Sequence, residues 1–206
     1  GEAEGLALSA TFDRRGRIVV FGLFVSNNPF FPKAALARLL PDGHLDRGFG
    51  QGGRQMQLPE MKFDESSVVL GSDGGIYVGS STLRGGPTTL LRFREDGSRD
   101  RAFGRDGIVR TERQRPLLAL CAAAGRLLVF SGTDQSTRYG LAIHAFDRGG
   151  RPDRAFGDRG ALEVDGDQAD GFGPQLAVRQ PDGRIVVAGT RGSPLPGKEI
   201  ELLRFR

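Results

Sequence analysis

The sequence predicts an all-β fold, a β-propeller of four-stranded antiparallel blades made from about four units of roughly 53 residues. Recurrence is the first observation behind this. D-R-G-F-G at Asp46–Gly50 returns as D-R-A-F-G at Asp100–Gly104 and Asp153–Gly157, spaced 54 and 53 residues apart. A second phrase supports it upstream in each unit: Gly16–Gly22 (G-R-I-V-V-F-G) and Gly183–Gly189 (G-R-I-V-V-A-G), with looser copies at Gly125–Phe130 and Gly74–Gly79. Third, the apolar runs are short, β-branched or aromatic, and punctuated by Gly, Pro and Asp, which is the pattern of strands joined by tight turns.

The elements follow in order. Unit one, residues 6–58, carries strands near 6–12, 17–23, 34–40 and 54–58. Unit two, 65–112, carries them near 65–70, 75–80, 88–93 and 108–112. Unit three, 116–165, repeats them near 116–122, 126–131, 140–146 and 161–165. Unit four, 174–206, offers 174–179, 184–189 and 199–205, so its last strand would fall after Arg206. The Ala-rich piece Leu117–Ala124 has helix propensity, but every other unit places a strand there. No stretch shows a long helical period. Residues 1–206 are therefore expected to be a single repeat domain.

Within the phrase, Phe49, Phe103 and Phe156 are the expected wedges between blades. Burying one such ring is worth about 1.5–3 kcal/mol. The glycine after each ring permits a turn, and the leading Asp is expected to cap the turn before it through backbone N–H groups. Two arrangements remain open. The chain is either a piece of a longer array, as the missing initiator Met and the end at Arg206 suggest, or a four-bladed ring closed by its terminal strands. In the first case the terminal sheet edges invite pairing with another chain.

Composition narrows the functional classes. Gly is 32 of 206 residues, an excess that falls at repeated turns. The charge is +4 from 29 basic and 25 acidic residues, and only Lys33, Lys62 and Lys198 are lysines. Arginines such as Arg47, Arg101 and Arg154 are dispersed at repeat positions, so no contiguous basic stripe for nucleic acid emerges. No apolar run approaches the length of a membrane span. The single cysteine, Cys121, lies in an apolar run and reads as a small buried hydrophobe.

No catalytic constellation is evident. His44 and His144 occupy different positions of their units, which argues against a shared metal. Asp165, Asp167 and Asp170 cluster like part of a calcium loop but lack the glutamate that closes an EF-hand, leaving calcium a weak expectation against a solvated turn. The glycine-rich stretches precede neither Lys-Ser/Thr nor a helix, and no nucleophile elbow occurs. Unrepeated loops follow the second strand of each unit and should emerge on one face, where binding residues concentrate. On them Phe30, Phe31, Arg84, Tyr139 and Arg191 are the candidate binding residues.

The combined pattern, seen best at Asp182–Gly189, Leu36–Gly53 and Leu90–Gly107, resembles the delta-60 repeat of large bacterial proteins. Arg148-Gly149 departs from it in unit three. The resemblance implies a propeller-like organisation, an extracellular or cell-surface location, and a role in adhesion, scaffolding or ligand display with no catalytic residues to carry over. The leading functional expectation is thus a non-catalytic binding or structural module with a protein or glycan partner. A lyase or hydrolase with a central-channel site and a segment that self-associates through its terminal blades are the alternatives.

Overall fold

The computed structural model describes residues 5–24, 33–56, 58, 65–82, 86–114, 116–123, 125–132, 140–164, 172–180, 182, 184–191 and 199–205. Fifteen strands form four sheets, and the expected order of elements is borne out. Blade 1 holds β1 (Gly5–Phe12), β2 (Ile18–Phe24), β3 (Lys33–Leu39) and β4 (Arg54–Gln55). Blade 2 holds β5 (Glu65–Leu70), β6 (Ile76–Ser81), β7 (Pro87–Phe93) and β8 (Ile108–Gln114). Blade 3 holds β9 (Leu117–Ala123), β10 (Arg126–Gly132), β11 (Leu141–Phe146) and β12 (Ala161–Val164). Blade 4 holds β13 (Phe172–Arg179), β14 (Ile185–Arg191) and β15 (Glu199–Phe205).

Each blade is an antiparallel meander, strand beside next strand. The Ala-rich stretch forms β9, because its alternating side chains fill two cores at once. Ala119 and Cys121 face one side and Leu120 the other, and a register shift between Leu117 and Ala119 turns Leu117 to the side of Leu120. The first strands line the inside of the array, β1 against β5, β5 against β9 and β9 against β13. Serine hydroxyls clip two of these contacts: Ser9 Oγ accepts the Val68 N–H at 3.0 Å, and Ser67 Oγ accepts that of Leu120 at 3.2 Å.

Three apolar cores separate the four blades. The phrase rings sit in them as wedges. Phe49 lies between blades 1 and 2 and Phe103 between blades 2 and 3, both fully buried, while Phe156 is half-buried between blades 3 and 4. The leading Asp acts differently from expectation. It caps its own phrase, not the turn before it: Oδ1 of Asp46, Asp100 and Asp153 accepts the N–H two residues on, at 3.1, 3.2 and 3.1 Å. The preceding turns have their own acceptors, Asp42, Asp96 and Asp147. In blade 3 that acid stands two positions earlier than in blades 1 and 2, so Arg148-Gly149 leaves the turn intact.

Candidate functional site

The third strand of a blade points an arginine back at the phrase. Arg38 Nε donates to Asp46 Oδ2 at 2.8 Å, and at the equivalent position of blade 2 Arg92 donates to Asp100 Oδ2 through Nη1. Ala145 occupies this position in blade 3, and Asp153 is held instead by Arg126 from β10. Arg38 is 5% exposed, and its guanidinium lies 4.6 Å from the Phe49 ring centre while donating to the Glu95 carbonyl of blade 2. It therefore ties the phrase, the wedge ring and the neighbouring blade together.

These groups border a cavity of about 450 Å³ at the end of the array formed by the first turn of each blade. Phe12, Leu70, Ala122 and Arg179 all line it. They occupy one equivalent register, each pairing with the first or second residue of the second strand in its blade. All four blades thus converge on one axial space. Arg17 spans the joint beside it, bound to Asp13 at 2.5 Å and to Glu95 at 2.8 Å, with Asp46 at 3.6 Å. Arg92 similarly holds Asp73 at 2.6 Å. Arg14 and Arg179 also line the cavity, and among the described residues neither has a carboxylate partner.

The electrostatics hold the acids ionised. Burial alone would raise the Asp13 carboxyl, but bonds from Arg17 and the Arg15 N–H outweigh it and leave it below the usual carboxylate range. Asp46 is treated alike: burial raises it, and Arg38, the Gly48 N–H and Arg17 lower it further. A general acid needs the opposite displacement. Cys121 is buried, and burial pushes its thiol up to about 11 against the opposing charge of Arg179. A thiol so placed is not nucleophilic at neutral pH.

The binding residues expected from the loops are not assembled here. Phe30, Phe31, Arg84 and Tyr139 lie outside the described residues, and Arg191 ends β14. The expectation of calcium is corrected. Among the described residues no group of three or more His, Cys, Asp or Glu side chains is placed to hold a metal ion. Asp165, Asp167 and Asp170 lie outside the described residues. His44 is exposed in its turn, 3.3 Å from Asp42, and His144 is half-buried in β11. Among the described residues no helix is long and apolar enough to cross a membrane.

A β-propeller family described as a domain of unknown function, DUF5122, matches residues 16–49 and 180–194. Those segments hold both G-R-I-V-V phrases and the first repeated phrase as far as Phe49. No curated protein matches the sequence. Solved structures do resemble the fold. The α-L-arabinofuranosidase of Fusarium graminearum, solved with an iminosugar inhibitor, aligns at TM-score 0.57 and 10% identity over 98% of this chain and 62% of that one. A subtype N10 neuraminidase-like protein of a little yellow-shouldered bat isolate from Guatemala aligns at TM-score 0.54 and 14% identity, over 92% and 52%. A GH43 endo-arabinanase from Bacillus licheniformis aligns at TM-score 0.50 and 12% identity, over 95% and 71%. The chain spans about half the length of the neuraminidase-like protein. At these identities the likeness concerns the fold, a propeller-like module of a kind also used by sugar-active enzymes.

Proposed function

We propose that this chain is a non-catalytic binding module that takes an acidic glycan at its axial cavity. The convergence of four equivalent strand ends on one cavity, with Arg14 and Arg179 unpaired among the described residues at its wall, carries this reading. Guanidinium groups match carboxylates in geometry as well as charge. The carboxylates beside them serve as ion-pair partners across blades, and the lowered Asp13 suits a fixed anion better than a proton donor. The repeat pattern supports placing the module with delta-60-type repeats of secreted or surface bacterial proteins, where ligand display would be its role.

Calorimetric titration with an acidic oligosaccharide and its neutral counterpart tests the proposal. Binding of the acidic sugar alone, weakened about tenfold by Arg14→Ala or Arg179→Ala, is expected. Turnover of a glycoside by the folded protein would replace this reading with the hydrolase alternative.

A further inference from the structure

The joints between blades carry different charges at the axial end. One turn residue of each blade packs over the glycine of that blade's first turn: Pro41 over Gly16, Glu95 over Gly74 and Arg148 over Gly125. Between blades 1 and 2, Glu95 faces Arg17 of the preceding blade at 2.8 Å and Arg15 at 3.5 Å. Between blades 2 and 3 both members of that pair change. Register places Gly75 where blade 1 has Arg17, and Arg148 stands where blade 2 has Glu95. The carboxylate of Asp73 lies 3.9 Å from Arg148, but Arg92 already binds it at 2.6 Å.

A side chamber of about 110 Å³ lies at this second joint and shares Asp73, Ala122 and Arg179 with the axial cavity. Arg126, Arg148 and Arg179 line it from three places: the start of β10, the turn after β11 and the end of β13. Asp153 holds Arg126, so Arg148 and Arg179 supply the surplus charge. Tyr77 is buried in the wall, and burial raises its hydroxyl above the usual range, so it stays protonated at neutral pH. The volume equals about four waters at ~30 Å³ each. That admits one small oxyanion group and excludes a sugar ring.

We propose that this chamber takes a sulfate ester carried by the glycan, with Arg148 as the residue that selects it. The inference rests on the acidic-glycan reading and names the group recognised. Donors that arrive from three separate elements suit the spread oxygens of a tetrahedral group, whereas the two oxygens of a carboxylate share one plane and match a single guanidinium fork. Asp73 in the wall disfavours a phosphate monoester, which carries about −1.5 to −2 charge at neutral pH, more than a singly charged sulfate ester.

Calorimetric titration at constant ionic strength with a chondroitin 4-sulfate hexasaccharide and its unsulfated counterpart tests the proposal. The sulfated sugar should bind about tenfold tighter or more. Arg148→Glu should abolish that preference. The Arg148 side chain is 60% exposed, so the variant should fold, and circular dichroism checks that it does. Arg47→Glu makes the same change of charge away from the chamber and should keep the preference. Equal affinity for the two sugars overturns the inference and leaves the acidic-glycan reading standing. A preference that survives Arg148→Glu, or that Arg47→Glu removes as well, also overturns it. If neither sugar binds, the acidic-glycan reading falls, and titration with inorganic sulfate decides the chamber. Sulfate bound by the native protein and lost with Arg148→Glu would sustain the chamber, and no sulfate binding would overturn it too.

Discussion

Gly50 donates its backbone N–H to the carbonyl of Asp96, 2.7 Å away in the next blade. Gly104 does the same to Gly149 at 2.7 Å. The repeated phrase is thus a joint. Its ring wedges the apolar layer, its Asp fixes the local turn, and its glycine bonds the following blade. The receiving turn must lie close, and in each case a glycine with positive φ, Gly97 or Gly150, lets it do so.

Gly97→Ala should therefore cost more than Gly43→Ala. Both glycines sit at φ +86°, so both substitutions carry a backbone penalty of about 1–2 kcal/mol. A Cβ on Gly43 meets nothing within 4 Å, whereas on Gly97 it would lie 2.8 Å from the Phe49 ring. Overpacking adds about 1–3 kcal/mol at Gly97. Urea denaturation of both variants measures the difference, and equal losses would remove Gly97 from the joint.

Truncating the wedges should grade with their burial. Phe103→Ala should cost about 3–5 kcal/mol, since its ring is enclosed. It also loses an edge-to-face contact with Tyr77, whose ring centre lies 5.8 Å away. Phe156→Ala should cost about 1–2 kcal/mol, because that ring is only half-buried. Equilibrium unfolding of the two variants checks the order.

The arginines that hold the phrase should separate in the same way. Arg38→Ala removes a 5% exposed side chain from Asp46, the Glu95 carbonyl and the Phe49 ring, and should cost about 3 kcal/mol. Arg126→Ala breaks a pair whose arginine is 39% exposed, and should cost at most about 1 kcal/mol. Thermal and chemical unfolding should agree on this ranking.

The strand order was legible because every unit repeats the same turn chemistry, so that even Leu117–Ala123 could be assigned against its propensity. The wedges were legible because a lone Phe before a conformationally free Gly has few other uses. The joint was not. Arg38 and Arg92 sit among many scattered arginines, and only the fold shows that they point inward while Arg47, Arg101 and Arg154 stay exposed. A central-channel site was a legible alternative from the fold class, but its lining was not, because its walls are ordinary turn and strand-end residues.

Acid should loosen the inter-blade joints before neutral conditions do. Asp13 and Asp46 have carboxyls lowered in the folded state: burial raises each, but arginine and backbone N–H bonds dominate. A lowered folded value means that unfolding takes up protons on acidification. The stabilisation is therefore fully present above the unfolded aspartate value of about 3.9 and is lost as pH falls through the folded values. Urea midpoints should be flat near neutrality and drop below about pH 4. Asp46→Asn should begin from a lower midpoint at neutral pH, because Arg38 keeps its burial and loses its counter-charge, and should then fall less steeply with acid. A variant that starts lower but keeps the full acid slope would mean that other carboxylates, and not the Arg38–Asp46 pair, carry the pH dependence.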